Sequence, residues 1–329
     1  CFVFRLKHPE QQAALVASLD ERSDIESVQA LQFFHGKGNA PPGRGARSAD
    51  ITDDSAGNDP LANWNEALNR NLLAAHRSAT GKSVTVAIID TGVDTGHEDL
   101  RGAALTAMDF VDGKAVVPPE THGTAIVGLL AARPDNGVGI RGYAPDARIL
   151  LLRACWETDA PDESASGDAA VCNSFTLAKA LSFALASDAG IVSLSISGPR
   201  DPLLERLAGK LVQDNRLLVV AGESSAHFPA SVDNSIVAAM QPATLHSTGP
   251  ALTLLPDDRY GLREGTSITT ARVAGVAALM KELDPELSAG EFRQRLQPDA
   301  DVFVDISQVL RGDSASAARL DPPALAPGK

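Results

Sequence analysis

From residue 61 onward the chain alternates short, almost unbroken apolar runs with longer segments whose apolar residues recur at helical spacing. The runs are VTVAIID (84–90), ARILLLR (147–153), GIVSLSIS (190–197), RLLVVAG (216–222) and SIVAAM (235–240). A strand with one wet face would alternate apolar and polar residues throughout; apart from the serines of GIVSLSIS these do not, so they are expected to be covered on both sides. The coverings are helical segments around Trp64, Leu68 and Leu72, then GTAIVGLLAA (123–132), SFTLAKALSFALAS (174–187), LLERLAGKLV, TSITTARVAGVAALMKEL and SAGEFRQRL. Ser288 and Glu291 form a capping box for the last of these. The pattern predicts an α/β fold, a mostly parallel sheet with helices on both faces. Sites in such sheets gather at the carboxyl ends of the strands.

The flanks read differently. Residues 2–34 have the order strand, helix, strand (FVFRL, PEQQAALVASLDER, IESVQALQFF), a small β-α-β unit expected to occupy residues 1–35. Residues 36–60, GKGNAPPGRGARSADITDDSAGNDP, hold almost no large apolar side chain and read as a flexible linker. The unit at 61–311 is the large domain, and 312–329, dominated by Pro, Ala and Gly, is expected to be a disordered tail. Formal net charge is -13, which excludes the clustered cations that a nucleic-acid surface needs. No apolar run is long enough to span a membrane. Cys155 and Cys172 bracket the polar stretch WETDAPDESASGDAAV, which reads either as a loop closed by a disulfide or as one flanked by two thiols. The disulfide would suit a secreted or extracytoplasmic protein. Cys1 runs straight into FVFRL without a tether, which argues against a lipid anchor there.

Three polar residues stand where these elements expose them. Asp90 is the first polar side chain to end the VAIID run, a strand's carboxyl end. His122 opens an apolar helix among the small residues Gly123, Thr124 and Ala125. Ser267 starts another, where helix N–H groups and the dipole favour developing negative charge. Alone, each is equally a turn aspartate, a packed histidine or a serine cap. Together they supply what a serine nucleophile requires: a histidine to take its proton and a carboxylate to orient that histidine. The order Asp, His, Ser, without a GxSxG elbow, separates the chain from the α/β-hydrolases. The segment IIDTGVD also lacks the GxGxxG turn of a nucleotide-binding unit.

The stretches AIIDTGVDTGHEDL, THGTAIVGLLAA and EGTSITTARVAGVAAL, with GVGIRGYAPDARILLLRA and VSLSISGP between them, resemble the subtilisin-like serine proteases over about residues 61–311. The resemblance implies a triad of Asp90, His122 and Ser267. It also implies that Ser195, Ile196, Ser197 and Gly198 form a wall on which an extended peptide or protein substrate pairs as an added strand. Residues 2–34 resemble the second half of the family's inhibitory propeptide, which makes the N-terminal segment a partner of the large domain and the linker the expected place of self-cleavage. No cofactor is required for the chemistry, and a structural calcium ion is implied at Asp99 and Asn136.

One residue departs from the family at a chemical position. The strand matching VVAG ends in the family with an Asn that donates to the oxyanion; here Glu223 follows. An ionised carboxylate cannot donate and repels the developing charge. Three readings stay open: Glu223 is protonated and donates, Ser224 or Ser225 supplies the donor, or the chain is a slow or inactive pseudo-protease that binds peptides. His227, four residues on, is spaced to pair with Glu223 and keep it ionised, which favours the third. Ala271 and Arg272 replace the usual Pro-His pair, Ala125 stands where a second histidine is common, and the Glu223–Phe228 loop is short. The expected activity is that of a serine endopeptidase made as a zymogen, with the peptide-binding pseudo-protease as the alternative.

Overall fold

The apolar runs become the strands of a parallel sheet whose two faces are both buried. The computed structural model describes residues 6, 8–25, 27–36, 57–158, 170–222, 225–239, 245–246, 249–296 and 306–311. In chain order the strands are β1 (Phe33–Gly36), β2 (Thr85–Asp90), β3 (Leu105–Asp109), β4 (Arg148–Arg153), β5 (Cys155–Glu157) and β6 (Ala170–Asn173), followed by β7 (Ile191–Leu194), β8 (Ile196–Ser197), β9 (Leu217–Ala221), β10 (Ile236–Ala239), β11 (Leu245–His246), β12 (Ala251–Leu255) and β13 (Arg259–Arg263). The helices are α1 (Gln12–Asp20), α2 (Glu66–His76), α3 (Thr121–Ala131), α4 (Ser174–Ala186), α5 (Pro202–Gln213), α6 (Thr266–Leu283), α7 (Ala289–Leu296) and α8 (Ile306–Arg311). Seven strands make the main sheet in the order β11-β10-β9-β7-β2-β4-β3, each pair parallel.

Burial on both faces explains the unbroken runs. Val86 and Ile88 of β2 join the core beneath α2, α3 and α6, while Ala87 and Ile89 join the core beneath α4 and α5. Helix α6 lies so deep that every residue from Thr266 to Lys281 is buried. Its Gly275 meets Tyr143 at a distance that a Cβ would reduce to 2.4 Å, so the backbone itself is the packing surface. Several helices start where a side chain caps them. Asn173 and Thr176 form a capping box on α4, and Asp201 accepts from Leu203 and Leu204 N–H with Pro202 as the first residue of α5. Ser288 and Glu291 reciprocate at α7, Ser288 Oγ donating to Glu291 at 2.6 Å and Glu291 N–H donating back at 3.3 Å.

Several expectations need correction. GIVSLSIS is not one strand: it breaks at Ser195, β7 staying in the parallel sheet and β8 turning into a second sheet. IESVQALQFF forms strand only at its end, where β1 pairs with β6 and β8 of the large domain. Of FVFRL only Leu6 is among the described residues, and it lies in no strand. The linker is not loose throughout, because Asp59 is buried and accepts Asp135 and Asn136 N–H at 2.8 and 3.0 Å. Its stretch 37–56, the tail 312–329 and Cys1 lie outside the described residues. The β12–β13 hairpin, unassigned from sequence, had a signal in its three-residue connection Pro256, Asp257 and Asp258, whose aspartates take the positive φ of 64° and 53° that tight turns use.

Candidate active site

The parallel strands bring their carboxyl ends to one edge, and Asp90 is the last residue of β2. Its Oδ1 accepts from Thr91 N–H at 2.7 Å and from His122 Nδ1 at 2.6 Å. Both side chains are 2% exposed, so this charge-assisted bond is shielded from water. A carboxylate there fixes the tautomer that leaves Nε2 as the ring's basic nitrogen.

His122 is the second residue of α3, and the N-terminal N–H groups of that helix draw their partners from other elements. Gly123 N–H donates to Thr91 Oγ1 at 2.9 Å, and His122 N–H donates to Glu157 Oε1 at 2.7 Å. Ser267 is the second residue of α6, fully buried, with its Oγ donating to the Ser195 carbonyl at 3.4 Å. Helix α6 packs on α3, which brings the serine and histidine helices together. Gly265, at φ +136°, takes a backbone conformation that favours glycine as the chain enters α6. As N-cap, Gly265 offers no side chain to the first-turn N–H groups of α6, the end where the helix dipole favours negative charge.

Beside Ser195 the chain's own β1 lies between β6 and β8. The four-stranded sheet has the order β5-β6-β1-β8, with His35 opposite Ser197, Gly36 opposite Ile196, and Phe34 opposite Cys172. Thus Ile196 and Ser197 pair directly with β1. Gly198 instead exchanges two 3.1 Å backbone hydrogen bonds with Phe228. Phe34 is fully buried and meets the Phe228 ring edge-to-face at 5.8 Å. A Cβ on residue 198 would come within 2.2 Å of the Phe34 ring, so glycine there makes room for an aromatic. Gln32 extends the anchorage: its N–H donates to Ser174 Oγ, its carbonyl accepts Ser174 N–H, and its side-chain amide donates to Arg200 O. Cys155 and Cys172 are register partners across β5 and β6 and form a disulfide, so the groove wall is tied to the end of β4.

Sequence reasoning missed the charges under the site. Arg153, the last residue of β4, pairs with Glu120 at 2.9 Å and Asp109 at 3.2 Å. Burial works against the guanidinium charge, but Glu120 and Asp109 more than offset it and raise the Arg153 pKa. Glu120 also accepts Gly92 N–H at 2.5 Å and Glu157 N–H at 3.2 Å. The signal was an arginine ending an apolar run at the same sheet edge as Asp90.

Glu223 and Ser224 lie outside the described residues; β9 ends at Ala221, and Gly222 N–H donates to Ala238 O. Ser225, the other alternative donor, is exposed. Asp99 and Asn136 are neighbours, the Asn136 amide donating to Asp99 at 3.0 Å. Burial pushes the Asp99 carboxyl up to about 6 against the pull of Ile140 N–H and that amide. A buried carboxylate short of positive charge, beside the carbonyl-rich 134–140 turn, fits a hard, oxygen-ligated cation. Among the described residues no three His, Cys, Asp or Glu cluster to hold a metal, so such a cage would draw on carbonyls.

A parallel sheet covered on both faces, with an aspartate–histidine pair and a helix-opening serine at its carboxyl edge, defines the class: a serine protease. The chain belongs to the subtilase family, whose model matches residues 81–317. It is 28% identical over 276 residues to the major intracellular serine protease of Bacillus subtilis (strain 168), covering 72% of this chain and 82% of that one. It is 30% identical over 247 residues to thermitase of Thermoactinomyces vulgaris, covering 68% and 83%. A protease structure from Pseudoalteromonas arctica PAMC 21717 superposes with a TM-score of 0.61 at 19% identity, over 78% of this chain and all (100%) of that one. The chain is thus a subtilisin-like hydrolase of peptide or protein substrates, of a family that needs no cofactor for its chemistry. No helix among the described residues is long and apolar enough to cross a membrane.

Proposed function

We propose that the chain is a serine endopeptidase in which Ser267 attacks the peptide carbonyl, His122 takes its proton and returns it to the leaving amine, and Asp90 holds the imidazole. The observation that carries this reading is the buried 2.6 Å bond between His122 and Asp90. Ser267 Oγ lies on the Ser195 carbonyl, so the nucleophile stands at the wall along which an extended substrate would run. Ser195 to Gly198 form that substrate wall, and the first-turn N–H groups of α6 supply part of the oxyanion site. A fluorophosphonate should label Ser267 in wild type and not in Ser267→Ala. Absence of labelling at millimolar probe would sink the reading.

The N-terminal segment acts as a propeptide-like strand, and the chain is a zymogen. Support comes from β1 filling the groove in the antiparallel register an added substrate strand takes, with Phe34 sealed against Phe228. The expected first cleavage falls in the linker shortly after Gly36. Sequencing the new N-terminus tests it, and processing far from β1 would argue that the strand is not the inhibitory segment. The disulfide supports an extracytoplasmic site of action. Asp99 and Asn136 would hold a structural calcium ion, for which the expected sign is a melting temperature raised by calcium and lowered by chelation.

The second reading, a weak or inactive protease that binds peptides, is favoured by one residue, Glu223 where the family donates from Asn. Glu223→Asn is expected to raise turnover by about a hundredfold, the scale of one oxyanion donor. If only that variant cuts peptide, the native protein serves recognition; if wild type already cuts and Ser267→Ala does not, the endopeptidase reading stands.

A further inference from the structure

We propose that Glu157 is a positioning residue for the reaction: carried on the disulfide-tied β5–β6 hairpin, it holds the N-terminus of α3 and favours the imidazolium of His122. This rests on the reading of His122 as the general base. The observation behind it is how the helix bearing His122 is capped. A helix normally satisfies its first N–H groups with the side chain of the residue before it. Glu120 sits in that place and makes no cap bond, because its carboxylate is taken by Gly92 N–H, Arg153 and Glu157 N–H. The N–H of His122 itself is met by Glu157 Oε1 at 2.7 Å, from a strand that belongs to another sheet.

Two consequences follow from this geometry. The first is mechanical. The carboxylate is fixed to the backbone of the very residue whose ring must align with Ser267, and Glu157 is two residues from Cys155, which the disulfide ties to Cys172 on the groove wall. A displacement of about 1 Å at a reacting group is enough to cost about a hundredfold in rate. The second is electrostatic. Asp90 faces His122 from β2, Glu120 precedes α3, Glu157 faces it from β5, and Asp109 and Asp112 lie behind at the end of β3. Arg153 is shared by Glu120, Asp109 and Asp112, and Lys114 pairs with Asp112 at 3.2 Å. Among the described residues the five carboxylates outnumber these two cations, and a negative surrounding favours the protonated ring.

The deciding measurement is an NMR titration of the His122 ring in the full chain, with Ser267→Ala as background so that every variant stays unprocessed. The His122 signal is assigned by its loss in His122→Gln. Glu157→Gln removes the charge but keeps an oxygen for the His122 N–H, and it is expected to lower the ring pKa by about half a unit or more. An unchanged midpoint would overturn the electrostatic part of the proposal. In processed enzyme carrying Ser267, Glu157→Ala is expected to lower kcat about tenfold at unchanged KM. Glu157→Gln should recover most of kcat, with the acid limb of the profile moved to lower pH. If Glu157→Ala changes only the melting temperature or only KM, or if Gln recovers no more than Ala, Glu157 is structural and the proposal falls. The titration needs no turnover, so it judges Glu157 separately from whether Ser267 is the nucleophile.

Discussion

At the scale of single residues, the candidate chemistry depends on a few side chains whose surroundings set their behaviour. Asp90 carries the hydrogen bond that selects the His122 tautomer, and Asp90→Asn keeps its shape while removing its charge. Such a change is expected to lower kcat about 10⁴-fold with little change in melting temperature, which a progress curve on a peptide ester and a thermal scan would check together. Asp90, His122 and Ser267 could be proposed as a triad from sequence because each stands at a boundary between an apolar run and a loop, a pattern that local sequence preserves. Glu157 and Arg153 were not. Each acts on α3 from a distant strand, and nothing in WETDAPDESASGDAAV or RILLLR states which helix end they will meet. Glu223 was legible as a departure, and its environment lies beyond what the described residues include.

At the scale of elements, β1 carries the main lesson. Its apolar residues predicted a strand, but a strand's partners are set by distant edges, and a free edge between β6 and β8 took it. Phe34 anchors that pairing by filling a pocket that Gly198 keeps open. Phe34→Ala is therefore expected to loosen β1 and leave the folded large domain intact, read as faster proteolytic nicking around residues 27–36 at an unchanged melting temperature. Gly198→Val should do the same from the opposite wall, since its side chain would overlap the Phe34 ring. If both variants leave β1 as protected as wild type, the pocket is not what holds the strand. The break of GIVSLSIS into β7 and β8 has the same origin. Serines recur at 193, 195 and 197 without marking a turn, so only the neighbouring strands determine where the run breaks.

At the scale of the whole molecule, two cores on either side of one sheet hold the site edge in place, and burial sets a dependence on pH. His76 of α2 packs near Tyr143, where desolvation lowers its pKa, the charge of Arg141 lowers it further, and the Tyr143 carbonyl together with Asp146 and Asp135 pulls the other way. The folded protein thus resists protonating a ring that the unfolded chain protonates below about pH 6.5. Stability is present above that pH and is lost as the pH falls through it towards the lower folded value. The melting temperature should fall between about pH 7 and pH 5, and His76→Gln should flatten that slope; an equal slope in the variant would assign the loss to other groups. The sequence by itself determined the α/β class, the main strands and helices and the order of the candidate triad residues, because apolar periodicity and boundary residues are local properties. Only the tertiary structure decided that Asp90 and His122 share a buried bond, that Cys155 pairs with Cys172, that β1 enters the groove and that Glu157 caps the helix of His122. Those contacts join segments tens of residues apart, and their geometry exists only once the two cores have packed.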